Sequence, residues 1–265
     1  MQIDTGTEKL LASKADGIGR ITFNNPERRN AMAVAMWEAL PRAIADFEAD
    51  PEVRVVVLNG AGGKAFVSGA DISEFEKVRN TPEQVKEYEE RSARATDRLL
   101  NCAKPTIAMI RGFCIGGGIS LALCCDIRIA SDGSKFGVPA ARLGLGYKWD
   151  GVHRLVNLVG PSYAKEIFFT ARQFSAGEAS DMGLINRAVA DDELEAYVED
   201  YCARVAENAP LTMFAAKRSV DMLAEARGFD PEEANRLVRA CFDSEDYREG
   251  RQAFMEKRKP VFRGV

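Results

Sequence analysis

The stretch "CIGGGISLALCCD", residues 114–126, decides how the rest of this chain is read. Gly116, Gly117 and Gly118 stand at the mouth of a short apolar run of helical character, with Ser120 in its first turn. Glycines at such a point let backbone N–H groups approach a ligand oxygen closely, as they do around a phosphate or an oxyanion. A second loop, "FVSGAD" at residues 66–71, has the same layout: a predicted strand, small residues, then a helix start. For either loop alone, tight turns and close packing explain the glycines. Together the two loops could aim two amides at one oxygen, where each fixed donor is worth about 3 kcal/mol to a transition state that gains charge.

Around these loops the chain alternates strand and helix. "KLLASKADG" and "IGRITFNN" read as a hairpin turning at Asp16-Gly17. Residues 30–49, "NAMAVAMWEALPRAIADFEA", carry apolar residues at helical spacing, with a kink expected at Pro41. "VRVVVLNG" is a buried strand running into the glycine-rich loop "GAGGKAFVSGADISEF". Thr81-Pro82 opens a charged amphipathic helix over 82–103, "KPTIAMIRG" returns to strand, and "CDIRIAS" and "SKFGVP" are two further short strands. From about residue 160 the chain turns mostly helical, with no low-complexity linker between the halves. The pattern is mixed α/β without strict βαβ regularity.

Bulk composition narrows the function classes. The 265 residues are 46% hydrophobic and 29% charged, enough for one large core. The net charge of -4, with both signs interleaved, argues against a nucleic-acid partner. Six cysteines without CxxC spacing, mostly among apolar neighbours, fit a reducing compartment. The first residues lack a secretion-signal pattern and no apolar run spans a bilayer, so a cytoplasmic location with no membrane partner is expected. One histidine builds no metal cage, so no metal is expected. Neither the dinucleotide fingerprint nor the phosphate loop ending in Gly-Lys-Ser/Thr occurs.

Over essentially its whole length the chain resembles the crotonase superfamily, the enoyl-CoA hydratase and isomerase group. The likeness rests on "NNPERRNAM" (24–32), "KAFVSGADISEF" (64–75), "KPTIAMIRGFCIGGGISLALCCDIRIAS" (104–131), "FGVPAARLGL" (136–145) and "EGRQAFMEKRKPVF" (249–262). It implies an α/β spiral of ββα units with a C-terminal helical region that assembles trimers, usually paired into hexamers. Residues 1–195 would form the core carrying an acyl-CoA site, and 196–265 the helical region for oligomerisation and CoA contact. The resemblance places the thioester carbonyl between the amides of Ala70 and Gly117. Backbone around Ser68, Asp71, Ile72 and Ser73 would line the path of pantetheine and adenine. Arg28 and Arg29 would run beside the nucleotide, and Phe254 and Lys257 would reach CoA from the tail, often across a subunit boundary. No cofactor beyond the CoA moiety of the substrate is implied, and fatty acid metabolism is the setting the family suggests.

A hydratase of this family uses two glutamates for general acid-base work. Here the corresponding positions are Ser120 and Ala140. Serine is no unassisted base near neutrality, and alanine transfers no proton. The segment "RLGLGYKWDGVHRL", residues 142–155, with the later "KEIFFTA" and "APL", resembles the methylmalonyl-CoA decarboxylase branch, whose active-site tyrosine matches Tyr147. Decarboxylation needs an oxyanion hole and a pocket that turns the carboxylate out of the thioester plane, so it survives the loss of both glutamates. That branch carries a histidine where this chain has Ala70. Asp150 reads as a helix cap, Glu74 as a solvated charge or a pocket acid, His153 as a structural histidine, and Trp149 as a pocket wall or packing residue. The alternatives are a hydratase with substitute acids and a non-catalytic acyl-CoA binding protein.

Overall fold

The computed structural model describes residues 1–74, 81–143, 146, 147, 149–224 and 231–265. Its first strands are β1 (Gln2–Ile3), β2 (Leu10–Ala15) and β3 (Ile18–Phe23), joined antiparallel. The turn between β2 and β3 puts Asp16 and Gly17 at φ 51° and 78°, the positive values a two-residue hairpin turn requires. Parallel pairing then adds β4 (Val55–Gly60), β6 (Thr106–Ile110), β8 (Ile127–Ser131) and β11 (Arg187–Val189). The result is a seven-stranded sheet in the order β1-β2-β3-β4-β6-β8-β11. A second sheet has the order β10-β9-β7-β5, from β5 (Ala65–Val67), β7 (Phe113–Ile115), β9 (Lys135–Gly137) and β10 (Phe174–Ser175).

The chain winds between these sheets in a repeating step. β4 and β5 precede helix α2 (Pro82–Leu100), β6 and β7 precede α3 (Gly117–Ala122), and β8 and β9 precede α4 (Trp149–Thr170). In each of these three steps a large-sheet strand is followed by a small-sheet strand and then a helix, which is the ββα spiral expected from the motifs. Both glycine loops therefore leave neighbouring strands of the small sheet, since β5 and β7 pair in parallel.

Several boundaries differ from the sequence reading. Helix α1 runs Val34–Ala49 instead of starting at Asn30, because Arg29 and Asn30 take left-handed φ of 51° and 56°. It continues across Pro41. The glycine-rich loop after β4 contains strand β5. α2 begins with Thr81 as its cap, as expected, but ends at Leu100. In α4, Gly160 at φ 74° and ψ 167° precedes Pro161 and divides the helix into two segments.

Phe23, Met36, Phe47, Phe66 and Phe136 lie in the main core, and Phe23 meets Phe66 edge-on at 5.4 Å. On its other side, Val55, Val57, Ile107, Met109 and Ile129 pack against Leu194, Val198 and Cys202 of α6 (Leu194–Ala206), which follows the short α5 (Ala176–Asp181). Residue 195 thus falls inside a helix whose buried face lies on the large sheet. Beyond it come α7 (Pro210–Ala224), α8 (Pro231–Asp243) and α9 (Glu245–Glu256). Lys217 ties α7 to the core by donating to the Asp126 carboxylate at 2.8 Å and the Lys104 carbonyl at 3.2 Å. Val220, Leu223 and Phe242 of this region are exposed on the single chain. Among the described residues, no helix is long and apolar enough to cross a membrane.

Candidate active site

The first glycine loop is wrapped around the segment that leads into α1. Met32 N donates to Gly69 O at 2.8 Å, and Asp71 N donates to Met32 O at 3.0 Å, so Ala70 sits between two fixed rungs. Ser68 adds two more ties: its amide donates to Arg29 O and its hydroxyl to Arg28 O, both at 3.2 Å. The buried Asn30 holds the far side. It accepts from Asn25 N at 3.0 Å and donates to the carbonyls of Ala61 and Ala65 at 2.9 and 2.7 Å.

Asp71 is buried under this loop. Its carboxylate accepts from the Ser73 hydroxyl at 2.6 Å, the Ser73 amide at 3.1 Å and the Asn25 amide group at 3.4 Å. Burial pushes the carboxyl up, but those hydrogen bonds and the Arg28 charge outweigh it and hold the group below the usual carboxylate range. Asp71 is therefore an ionised brace whose oxygens are occupied by Ser73 of its own loop and by Asn25 of the segment before α1.

The three glycines of the second loop serve three separate needs. Gly116 has φ 55°, a conformation side chains disfavour. A Cβ on Gly118 would stand 2.1 Å from the Val67 carbonyl oxygen, so that position must be bare for α3 to lie against β5. A Cβ on Gly117 would stand 3.7 Å from Gly69 Cα and 3.9 Å from Ala70 N, so the two loops face each other there at ordinary contact distance. Gly117 opens α3, where backbone N–H groups lack intrahelical acceptors. Among the described residues, neither the Ala70 nor the Gly117 amide donates to a protein acceptor.

At the mouth of α3, beside the Gly116 carbonyl, stands a hydroxyl pair. Ser120 Oγ and Tyr147 Oη are 2.8 Å apart, and the tyrosine also donates to Gly116 O at 3.4 Å. The half-buried ring meets Phe168 of α4 edge-on at 5.0 Å. Burial pushes the Tyr147 phenol above its ordinary value, against the opposing pull of the Ser120 hydrogen bond. Among the described residues, no carboxylate hydrogen-bonds to Ser120 or Tyr147. Ala140, the other position that the resemblance matches to a glutamate, is buried. Beneath Ser120, the Cys124 thiol donates to its carbonyl at 3.2 Å and accepts from Arg154 at 3.6 Å.

The remaining sequence-predicted residues fall at varied places. Arg28 and Arg29 are exposed beside the first loop, with the Arg29 guanidinium 5.0 Å from the centre of the Phe113 ring. Lys257 is exposed just past α9 at φ 53°. The side chains of Ile72 and Phe254 lie outside the described residues. Trp149 is 64% exposed and stacks on His153 at 4.8 Å and 10°. Asp150 lies within the first turn of α4 instead of capping it. Glu74, half-buried, accepts from Val34 N at 2.8 Å and lies 3.5 Å from Lys9. Sequence reasoning passed over the bracing roles of Asn25 and Asn30, although "NNPERRN" held both. No sequence signal marked Phe168.

Two acceptor-free amides on adjacent turns of a ββα spiral, with small residues between them, define the class: a crotonase-type enzyme scaffold. The chain belongs to the enoyl-CoA hydratase/isomerase family of acyl-CoA enzymes, whose family model matches residues 13–265. The chain is 35% identical to a short-chain-enoyl-CoA hydratase of Clostridium acetobutylicum, over 94% of this chain and 95% of that protein. It is 33% identical to the methylmalonyl-CoA decarboxylase of Escherichia coli, over 92% of this chain and 94% of the relative. Its fold is similar to the crystal structure of an enoyl-CoA hydratase/carnithine racemase from Magnetospirillum magneticum. That match has a TM-score of 0.94 and 37% identity, and covers 100% of this chain and 97% of the other.

Proposed function

We propose that this protein is an acyl-CoA lyase that decarboxylates a malonyl-type thioester. The Ala70 and Gly117 amides receive the thioester oxygen as it becomes an enolate. The observation that carries the reading is the Ser120–Tyr147 pair, 2.8 Å apart, standing where hydration would need a carboxylate. Ala140 supplies no acid at the second position. In the reaction the bond between Cα and the carboxylate breaks and its electron pair passes into the thioester, leaving enolate and carbon dioxide. Two fixed dipoles in a site sheltered from water stabilise that charge without reorganising. Tyr147 then gives its proton to Cα and recovers one from solvent by way of Ser120. A phenol held above its ordinary value by burial stays protonated at neutral pH, as an acid in waiting must.

Arg28, Arg29 and Lys257 offer exposed cations to the CoA phosphates, and backbone around Ser68, Asp71, Ile72 and Ser73 offers the path for pantetheine. Phe254 is assigned to the same tail contact by motif position. The exposed apolar side chains of α7 and α8 suit a homotrimer, or a hexamer of paired trimers, in the cytoplasm. Incubation with methylmalonyl-CoA, malonyl-CoA and crotonyl-CoA tests the assignment. Carbon dioxide release from either malonyl-type thioester is expected. Hydration of crotonyl-CoA without carbon dioxide release would reassign the protein as a hydratase, and tight CoA binding without turnover would make it a binding protein.

A further inference from the structure

Helix α1 begins without a cap of its own. Its N-cap residue is Ala33, which has no side-chain acceptor, and Ala33 N is taken by the Met36 sulfur at 3.4 Å. The first helical amide, Val34 N, instead donates to Glu74 Oε2 at 2.8 Å, forty positions along the chain. A carboxylate at a helix N-terminus is favoured both as acceptor and by the helix dipole. Lys9 of the segment before β2 lies 3.5 Å from the other carboxylate oxygen and holds it in place.

This contact is the third rung of a ladder between two segments. Met32 N to Gly69 O is the first, Asp71 N to Met32 O the second, and Val34 N to Glu74 the third. The first two are main-chain bonds bracketing Ala70, and the third is supplied by a side chain, as are the Ser68–Arg28 and Asn25–Asp71 ties further back along the same two segments. The third rung closes the short 3-10 turn Ile72–Glu74 onto the rigid start of α1. We infer that Glu74 is a positioning residue for the oxyanion site: by docking the end of the Ser68–Glu74 loop on α1, it fixes the direction of the Ala70 amide. The inference rests on the proposed role of that amide.

A conjugated aryl-acrylyl thioester of CoA is a suitable probe, because its absorbance moves to longer wavelength when its carbonyl is polarised by hydrogen bonds. Wild type should show the red shift. Glu74→Gln keeps an acceptor for Val34 N and should keep the shift. Glu74→Ala should lose most of it in protein saturated with the probe. In turnover, Glu74→Ala should lower kcat by ~10-fold or more, a larger change than in KM, the effect of a misdirected group away from the chemistry. Val34→Pro provides an independent test: proline is tolerated at the first helical position and removes the N–H donated to Glu74, and Val34→Ala, which keeps that N–H, accounts for the loss of Val34 packing against the core and should keep the shift. Val34→Pro should reproduce Glu74→Ala, and the double variant should be no worse than either single one. A full red shift in Glu74→Ala or in Val34→Pro would overturn the inference. A wild-type protein that binds the probe with no shift overturns the oxyanion reading itself, and the inference with it.

Discussion

Ser120 Oγ and Tyr147 Oη share a hydrogen bond of 2.8 Å, with the tyrosine ring held edge-on against Phe168. Only one of these hydroxyls has a weak-acid function of its own, so replacing Tyr147 by Phe separates proton delivery from pocket shape. A general acid typically contributes about 10²–10⁴-fold. Tyr147→Phe should therefore lower kcat for a malonyl-type thioester by about 10²-fold or more, with KM little changed. Steady-state kinetics check it, and unchanged turnover would remove Tyr147 from the reaction.

The same bond sets the pH dependence. Burial raises the Tyr147 phenol while the Ser120 hydroxyl pulls it down, so Ser120→Ala removes the lowering influence. The acid form of Tyr147 is the working form, so activity is lost as pH rises through its value. The alkaline limb of kcat should then lie at higher pH in Ser120→Ala than in wild type. A limb that stays in place, or moves down, would assign it to another group.

Much of this arrangement was legible in residue order. The Asp16-Gly17 hairpin, the buried run of β4, the Thr81 cap and both glycine loops follow from local chemistry, and all stand where expected. Features that depend on residues far apart were not legible. β5 and β7 are three-residue strands that exist because they pair with each other. The late start of α1 follows from Asn30, whose left-handed backbone is held by carbonyls thirty-one and thirty-five positions away. Glu74 looked like a helix-face charge, since nothing nearby in sequence reveals Val34 N as its partner. In the candidate site, residue types indicated which amides and hydroxyls to watch, while the braces beneath them became visible only in three dimensions.

The two neighbouring glycines of α3 should respond differently to a methyl group. On Gly117 it would stand 3.7–3.9 Å from the Gly69–Ala70 backbone, an ordinary contact, so Gly117→Ala should fold. It would nevertheless fill the gap between the two amides, and losing one oxyanion donor costs about 10²–10³ in kcat. On Gly118 the methyl would meet Val67 O at 2.1 Å, so Gly118→Ala should be poorly folded. Circular dichroism and kinetics on both variants distinguish these outcomes. A stable, fully active Gly117→Ala would show that the space between the loops holds no reacting oxygen.

Cysteine reactivity offers a check on the core that is independent of activity. Cys102, Cys114, Cys124, Cys125 and Cys202 are buried, and Cys241 alone is partly exposed. Burial pushes the thiols of Cys102 and Cys124 up to about 11 and that of Cys202 to about 12, so they are protonated and shielded at pH 8. A chromogenic disulfide reagent should react with Cys241 in the folded protein and with all six cysteines after denaturation. Rapid reaction of more than one thiol in the native state would contradict this burial.

Acid stability should depend visibly on Glu178. The Ser175 amide, the Arg172 guanidinium and the Ser175 hydroxyl hold its carboxyl at about 2, against an ordinary value of 4.5. The amide donates at 2.8 Å and Arg172 lies at the same distance. A depressed carboxylate stabilises the fold fully above its unfolded value, and that contribution is lost as pH falls from about 4.5 to about 2. Gln in its place keeps an acceptor but no charge. The difference in Tm between wild type and Glu178→Gln should therefore be largest at neutral pH and close towards pH 2. Both partners are well exposed to solvent, so salt should shrink it too. Thermal unfolding of the two proteins across pH 2–7 measures the difference directly. A gap independent of pH would mean that the ion pair adds nothing beyond the cap that Gln can also form.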